Sequence, residues 1–475
     1  MFCCFVFGAA AQDYISPKNA REDLTVMYNS LSKVHPGLYR YQDSSTFYHL
    51  YREIYDSFEG NVSYDVFFRQ LARFNAAVKD LHTGIQHSNS VSKERTKVLP
   101  FVAKEIEDRI VVQYNASDDT TLNRGTELIE IAGTPVPDII RQIKPLIGTD
   151  NDNPLAKSYY AVKALHNYYP RFFALGDTVD VKGRIFGTDS LVTFRLATMD
   201  KNELTPKILK RYPDKKRKNL SYVLEDSLTR LGRLDIHSFV QKGSLFDLFQ
   251  MGFKRKLKRD FKAIKKDSVR YLALDLRGNG GGYIPNVSRL MRYLSKEPFR
   301  MMDTMAFRRE AYFKIFPPYR MLPPLAAPAY FNKKNEHYRY RSFAKAHWRK
   351  PRSKWAYDGE LLVLMDAGSY SATVFTLALL NTMNRASFIG TIPGGTTWGS
   401  HAGSWYKKTL PHSKIRIRIP QFRIVHSQWG KKETDLFLKP DYEVNENMED
   451  FILDKDPYME TLKSLIQEKP SPEMK

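Results

Sequence analysis

The segment from Tyr271 to Gly282, YLALDLRGNGGG, constrains the fold more than any other part of the chain. Its apolar half, Tyr271 to Leu274, is typical of a central strand that is buried on both faces. Its second half is rich in glycine, which lets a backbone turn sharply and bring its N–H groups close to a bound group. The segment therefore predicts a buried strand of an α/β fold that ends in a binding loop.

A second segment has a similar design, with serines after the strand. Leu361 to Met365 is another apolar run, and the turn Asp366-Ala367-Gly368 leads to Ser369, Ser371 and a helical pattern. A serine at a strand-to-helix turn beside a loop of amides supplies a nucleophile and an oxyanion hole, which acyl transfer needs. We therefore predict that the two segments meet at one site.

Length and composition set the class of protein. A chain of 475 residues predicts two or three domains. Its hydrophobic fraction of 42% excludes a disordered protein. The formal net charge of +22 is typical of a soluble protein with a basic surface. A nucleic-acid or anionic-polymer binder is an alternative that rests on charge alone, and we expect no nucleic-acid partner.

The opening segment MFCCFVFGAAAQ predicts export. It is a short apolar run that ends in small residues, which is typical of a secretory signal peptide cut near Ala11 or Gln12. Lipoprotein anchoring on Cys3 or Cys4 is the alternative. A cut near Ala11 or Gln12 would leave a secreted or periplasmic protein without cysteine, and so without disulfides or a cysteine metal site. No later run approaches the ~18 apolar residues of a membrane span.

Changes of pattern divide the chain further. Helical patterns precede a stretch of short alternating strands, which suits either a peptide-binding module of the strand-addition kind or a structural spacer. The basic run from Lys207 to Lys218 indicates a linker, and the proline-rich and aromatic stretch 299–355 indicates a lid or groove wall. The predicted units are a signal peptide at 1–11, a helical domain at 12–95, a β-rich domain at 96–205 and an α/β domain at 206–475 with an insertion at 299–355.

Several motifs together resemble one peptidase family. DLRGNGGG followed later by GSYSA is similar to the C-terminal processing (tail-specific) peptidases and the tricorn-core proteases. The segments at 77–85 (AVKDLHTGI), 125–136 (GTELIEIAGTPV) and 438–444 (LKPDYEV) resemble further motifs of that family, in the family's order. The resemblance implies a serine peptidase with a crotonase-like α/β core, an N-terminal helical domain and a PDZ-like domain.

The resemblance also implies the catalytic residues. One branch of the family pairs its serine with a downstream lysine, but here no lysine follows the serine before Lys407. The tricorn-like branch uses a histidine, and His82 lies in the matching motif, although by position alone it is typical of a helix cap. Ser371 matches the nucleophile, with Ser369 as the alternative. The predicted oxyanion donors are backbone amides of Gly280, Gly281 and Ala372.

Other polar residues near these motifs receive secondary roles. In the tricorn-like branch a glutamate orients the histidine, which points to Glu433, with Asp435 nearby as the other candidate. A serine of that branch is replaced by Leu81, so a fourth polar helper is missing or comes from elsewhere. Asp275 and Arg277 are expected to tie the glycine loop to its surroundings, and His401 is expected to be a satisfied loop histidine.

The combined interpretation is an exported serine peptidase that cleaves peptides or unfolded proteins through a Ser-His(-Glu) acyl-enzyme mechanism. This chemistry requires no metal or organic cofactor. The alternative is a catalytically inactive peptide- or ligand-binding protein on the same scaffold. The sequence does not predict the oligomeric state.

Overall fold

The structure is a computed structural model. It describes residues 14–94, 96–188, 190–215, 218–240, 250–314, 331–334, 337–340, 348–352, 354–427 and 436–468. The predicted signal peptide at 1–11 and the predicted orienting residues Glu433 and Asp435 lie outside these residues. Within them, no helix is both long and apolar enough to cross a membrane.

Three helices form the start of the described chain, Pro17–Val34, Ser44–Asp56 and Tyr64–Ala76. Each begins at a residue whose side chain accepts a hydrogen bond from an amide of the first turn. Such caps satisfy N–H groups that have no partner within the helix. The third helix stops at Ala76, and a turn carries the chain through His82 into the strand Gly84–Gln86.

A six-stranded antiparallel sheet follows the helices. The order of its five main strands is Leu191–Ala197, Thr178–Arg184, Glu127–Ile131, Arg109–Asn115 and Phe101–Ile106, and Thr134–Pro135 pairs beside Glu127–Ile131. The helices Val136–Ile143, Pro154–Lys163 and Leu165–Phe172 accompany it. A short 3₁₀ turn, Asp150–Asp152, lies between the first two helices. This turn later proves to reach the candidate site.

The basic run predicted as a linker is largely helical, so that prediction was wrong. Lys201–Arg211 is a helix, and its residues Leu204 and Ile208 are buried against Val98 and Met199. Apolar residues four positions apart lie on one helix face, which packs inward while Lys201 and Lys210 stay exposed to solvent.

A mixed sheet carries the two segments that the sequence singled out. Its strand order is Leu220–Asp226, Leu231–Ile236, Tyr271–Asp275, Glu360–Met365, Ser387–Gly390 and Tyr442–Glu443. The first pair is antiparallel and all other pairs are parallel. Because parallel neighbours end at the same edge of a sheet, the glycine loop and the serine turn emerge side by side.

Helices cover the mixed sheet. Ile284–Leu294 follows the glycine loop and Ala372–Thr382 follows the serine turn. Met251–Lys266 has the predicted amphipathic character, since Phe253, Leu257, Phe261 and Ile264 are buried. The chain closes with the helices Met448–Ile452 and Pro457–Gln467.

Part of the predicted insertion belongs to a third sheet, which corrects its interpretation as a covering lid. Met302–Arg308 pairs with the long strand Arg416–His426, which also pairs with Gly399–Thr409. Phe307 of the insertion is buried, because its strand is a regular member of the sheet. The strand Gly84–Gln86 pairs with Arg416–His426 as well, and so anchors the segment after His82 to the C-terminal half of the chain.

Short elements complete the described chain. They are Tyr14–Ile15, Val62–Ser63, Asn89–Glu94, Lys97–Val98, Lys144–Leu146, Met199–Asp200, Pro213–Lys215, Phe299–Arg300, Arg309–Lys314, Phe331–Lys334, His337–Tyr340 and Trp348–Arg349.

Candidate active site

Asp80 fixes the loop that carries His82. Its carboxylate accepts hydrogen bonds from the His82 backbone N–H at 3.1 Å and from the Thr83 hydroxyl at 2.7 Å. It also lies 3.0 Å from His35 Nε2, which donates because His35 Nδ1 accepts from the Gly37 N–H. Burial alone would raise the pKa of Asp80, but the neighbouring side chains of His35, His401 and His82 hold it well below its usual range. Asp80 is therefore ionised, and its carboxylate holds the loop around His82 in place.

Ser371 stands at the turn between the strand Glu360–Met365 and the helix Ala372–Thr382. Its φ of 56° and ψ of −118° are unusual for a residue with a side chain. The turn presents Ser371 Oγ to His82 Nε2 at 3.0 Å. The two residues are 289 positions apart in sequence, and they are placed as a nucleophile and its base should be.

Ser369, the alternative nucleophile, is used inside the turn. It is fully buried, and its hydroxyl donates to the Leu276 carbonyl at 2.9 Å. The same hydroxyl accepts from the Asp366 N–H at 3.2 Å. Ser369 therefore joins the serine turn to the strand end at Leu276, whereas Ser371 is the serine that contacts His82.

Two of the three predicted oxyanion amides are free within the described part of the chain. The N–H groups of Gly280 and Ala372 have no hydrogen-bond partner there, and Gly280 is exposed. The N–H of Gly281 instead donates to Asn279 Oδ1 at 2.8 Å, which corrects its predicted role as a donor. Gly281 matters for a different reason, because a Cβ on it would lie 2.7 Å from Ser371 Cβ and 2.8 Å from Ala372 N.

Arg277 ties the glycine loop to the rest of the fold. Its guanidinium contacts Asp275 at 2.6 Å and Asp456, the residue that caps the last helix, at 2.7 Å. The pKa of Arg277 lies well above its usual range, since these two carboxylates outweigh the opposing effect of burial. These contacts fit the anticipated structural role of Asp275 and Arg277.

Sequence reasoning missed the partner of the second ring nitrogen of His82. The Tyr370 hydroxyl lies 2.7 Å from His82 Nδ1 and donates to Asp150 Oδ1 at 2.8 Å. Asp150 also accepts the Leu81 N–H at 3.2 Å. Tyr370 stands next to the nucleophile in GSYSA, which is a usable signal, but no sequence pattern marks Asp150.

Burial controls the ionisation of this pair. Desolvation, followed by the nearby charge of Asp80, raises the pKa of Asp150 to about 6. Desolvation and the charge of Asp150 also hold the pKa of Tyr370 well above its usual range. Tyr370 is therefore a neutral hydrogen-bonding group at every pH at which the protein would work.

His401 lies behind Asp80 rather than beside the nucleophile. Its Nδ1 is 3.9 Å from Asp80 Oδ1, and its ring packs edge-on against His35. Burial lowers the pKa of His401 to about 4, so its ring is neutral near pH 7. His401 is therefore not placed as the base, and it lies in the strand Gly399–Thr409 rather than in the expected loop.

Among the described residues, two buried groups have the composition of a metal site. The ligand atoms of His35, Asp80 and His401 lie within 4.8 Å of one another, as do those of Asp80, His82 and Asp150. The hydrogen bonds of Asp80 and Asp150 already account for their positions. The site therefore offers serine chemistry without requiring an ion, and the absence of a cofactor stays a prediction.

Comparisons with known proteins relate part of the sequence to a peptidase family. Residues 230–444 match the profile of peptidase family S41, a range that includes the glycine loop and Ser371 but not His82. No curated protein matches the sequence.

Solved structures extend the similarity to the whole chain. Mature CPAF superposes with a TM-score of 0.64 at 15% identity, covering 95% of this chain and 97% of its own. Mature CPAF complexed with lactacystin gives 0.64 at 16% identity, with 95% and 98% covered. A putative peptidase from Parabacteroides merdae gives 0.51 at 15% identity, with 97% and 100% covered. At such identities the structures show a shared fold. Residues 230–444 are thus similar to peptidase family S41, and this match together with the shared fold supports a serine peptidase.

Proposed function

We propose that this protein cleaves peptides or unfolded proteins through an acyl-enzyme formed on Ser371, with His82 as general base and acid. The observation that carries the proposal is the 3.0 Å contact between Ser371 Oγ and His82 Nε2. A serine hydroxyl is a weak nucleophile unless a base lies within hydrogen-bond reach. Gly280 is exposed, and its N–H has no partner among the described residues, so it is available to a substrate carbonyl.

In the first half of the reaction, Ser371 Oγ attacks the peptide carbonyl carbon while its proton passes to His82 Nε2. The carbonyl π electrons move to oxygen, and the N–H groups of Gly280 and Ala372 stabilise the resulting oxyanion. His82 then gives the proton to the leaving nitrogen as the C–N bond breaks. Each oxyanion donor of this kind contributes ~10²- to 10³-fold in rate.

In the second half, water hydrolyses the ester that has formed on Ser371. His82 takes a proton from the water as it attacks the acyl carbon, and returns it to Ser371 Oγ as the C–O bond breaks. The helix Ala372–Thr382 begins directly after the nucleophile, so the positive end of its dipole favours both oxyanions. Orientation of His82 by Glu433 stays a prediction that lies outside the described residues.

Covalent labelling tests the nucleophile. A fluorophosphonate probe is expected to label the wild-type protein and to lose its target in Ser371→Ala. Ser369→Ala is the matched control for the same chemical change two residues away, and labelling should survive it if the variant folds. Cleavage of an unstructured peptide should disappear in Ser371→Ala and fall at least ~10³-fold in His82→Ala.

Two outcomes would contradict this proposal. Undiminished labelling or cleavage in Ser371→Ala would assign the chemistry to another residue. A folded wild-type protein that neither labels nor cleaves any unstructured peptide, yet binds peptides, would support the inactive binding protein on the same scaffold.

Export forms a separate part of the proposal. It rests on the apolar run that precedes Gln12. Expression of the full chain in a secretion-competent host should release a protein whose N-terminus begins near Ala11 or Gln12. A protein recovered from the cytoplasm with its first residues intact would remove this part and leave the peptidase proposal unchanged.

A further inference from the structure

The unusual feature of this site is what holds the base. A serine peptidase histidine needs a group at Nδ1 that keeps the proton there, so that Nε2 is free to accept the serine proton. The Asp80 carboxylate lies 3.6 Å from His82 Nδ1, which is too long for a hydrogen bond. The Tyr370 hydroxyl lies 2.7 Å from the same atom. Among the described residues, the nearest acceptor of this proton is therefore a phenol rather than a carboxylate.

We propose that Tyr370 and Asp150 are the positioning pair for His82, linked as a hydrogen-bonded chain Ser371–His82–Tyr370–Asp150. This inference rests on the proposed peptidase function and deepens it. In this hydrogen-bonded series Tyr370 contacts His82 and Asp150 but not Ser371, and Asp150 contacts Tyr370. Both residues therefore act through His82.

The direction of the hydrogen bonds follows from the number of protons available. A phenol has one proton, and Tyr370 donates it to Asp150 Oδ1 at 2.8 Å. Its oxygen then accepts from His82 Nδ1–H. The neutral imidazole has one N–H, so Nε2 carries the lone pair that faces Ser371 Oγ.

Asp80 does not take this role because it lies 3.6 Å from His82 Nδ1, and its oxygens already accept three other hydrogen bonds. They accept the backbone N–H of His82, the hydroxyl of Thr83 and the ring N–H of His35. Asp150 Oδ1 accepts the Leu81 N–H at 3.2 Å, which joins Asp150 to the same loop that carries His82. Leu81, whose side chain replaces a polar residue of the family motif, thus contributes its backbone instead.

The chain also provides for the positive charge that forms on the ring. When His82 takes the Ser371 proton, its ring becomes an imidazolium, and the hydrogen bond from Nδ1–H to the phenol oxygen becomes stronger. The Asp150 carboxylate polarises that phenol oxygen. Both groups are buried, with Tyr370 5% and Asp150 3% exposed. Hydrogen bonds that polarise one another are strengthened in such a low-dielectric setting.

Kinetics of four variants test the proposal. Tyr370→Phe and Asp150→Ala are expected to lower kcat at least about 10-fold with KM within about twofold, because the wrong tautomer becomes accessible while substrate contacts stay. The double variant should lose no more than the worse single variant, since both residues act through one chain. Tyr357→Phe is the matched control, as it removes a buried tyrosine hydroxyl that binds the Arg270 and Glu360 carbonyls; its kcat should stay within about twofold.

A second readout does not need turnover. In protein labelled with ¹⁵N-histidine, the His82 resonance, assigned with His82→Asn, should report a proton on Nδ1. In Tyr370→Phe it should report a mixture of the two tautomers. The near-isosteric Asp150→Asn provides the same measurement if Asp150→Ala does not fold.

The outcomes separate this inference from the proposed function. A wild-type protein without labelling or cleavage overturns the peptidase proposal and, with it, any catalytic meaning of the pair. An active wild type together with Tyr370→Phe of unchanged kcat and unchanged His82 tautomer overturns only the positioning pair. A Glu433→Ala variant that loses activity like Ser371→Ala, beside a fully active Tyr370→Phe, would return the role to Glu433.

Discussion

Two buried aspartates flank His82, and their pKa values are shifted in opposite directions. Asp80 accepts hydrogen bonds from several donors, including His35, and the pKa of this carboxyl lies well below its usual range. Asp150 has a pKa of about 6, since burial and the charge of Asp80 outweigh its bonds to Tyr370 and Leu81. The number of hydrogen-bond donors therefore decides the difference: the Asp80 anion is stabilised by the fold, whereas the Asp150 anion lowers the stability of the fold.

The pKa of Asp150 predicts how its replacement affects stability. Its folded pKa is raised above the ordinary value of 3.8, so the folded protein binds this proton more tightly than the unfolded chain does. Stability from this group is therefore full below pH 4 and is lost as pH rises through 6. Asp150→Asn, which does not titrate, is expected to raise the free energy of unfolding by about 1–3 kcal/mol at pH 8 relative to wild type.

Denaturant unfolding at two pH values checks this expectation. The gain of Asp150→Asn over wild type should be present at pH 8 and absent at pH 4. The titratable groups that interact with Asp150 include Asp80, His82, Tyr370, Tyr41 and Tyr160, and these are unchanged in the comparison. Lower stability of the variant at pH 8 would show that the ionised carboxylate is favourable in the folded state.

At the scale of elements, the site depends on the joint between the glycine loop and the serine turn. The Tyr370 N–H donates to the Asn279 carbonyl at 3.0 Å, and Asn279 Nδ2 donates to the Ile236 carbonyl at 2.8 Å. Asn279 is fully buried and also holds the Gly281 N–H. The loop thereby reaches the turn so closely that Gly281, with φ at +101°, has no room for a side chain.

Alanine substitutions of two adjacent glycines test this joint. Gly281→Ala would place its Cβ 2.7 Å from Ser371 Cβ, in a backbone conformation that a side chain disfavours. We expect it to lower the free energy of unfolding by about 2–4 kcal/mol and kcat by at least ~10²-fold. Gly280→Ala is the control for stability, because no atom lies within 4 Å of its added Cβ.

Thermal unfolding and peptide hydrolysis of the two variants show whether the loop tolerates a side chain at Gly281. The expected result is a clear fall in the unfolding temperature of Gly281→Ala and little change in that of Gly280→Ala. Equal stability of the two variants, with kcat of Gly281→Ala near wild type, would mean that the loop relaxes away from Ser371 without loss.

At the scale of the whole molecule, the site is assembled from distant parts of the chain. His82 follows the N-terminal helices, Asp150 lies in a turn beside the antiparallel sheet, and Ser371 follows a strand of the mixed sheet. The strand Gly84–Gln86 fixes the first of these to the C-terminal half by pairing with Arg416–His426. Loss of any of these contacts would separate the reacting groups, so activity depends on the complete fold.

The net charge of +22 acts on the whole molecule as well. A positive field attracts acidic substrates over long distances and is screened by salt. At low salt, about one tenth of physiological ionic strength, we expect an acidic peptide to be cleaved with a higher kcat/KM than its neutral analogue. The analogue has Asn and Gln in place of Asp and Glu. The ratio should approach one at high salt. A ratio at or below one at low salt would show that the charge lies away from the approach to the site.

Local patterns in the sequence predicted much of the fold near the site. The apolar runs at 271–274 and 361–365 are buried parallel strands, and the apolar stripe of Met251–Lys266 faces the core. These could be predicted because the spacing of apolar residues along the chain indicates which surface will be buried. The helix at 201–211 and the strand at 302–308 were missed because charge and aromatic content hid a short apolar pattern.

The sequence by itself pointed to His82 as a base and to Ser371 as a nucleophile, through motifs that resemble those of a peptidase family. Only the tertiary structure decided that the two meet at 3.0 Å, that Gly281 donates elsewhere, and that Tyr370 and Asp150 support the ring of His82. The physical reason is that a hydrogen bond depends on distance and direction between atoms. Those are set for residues such as 82, 150 and 371 by the packing of whole sheets and helices, which no local pattern records.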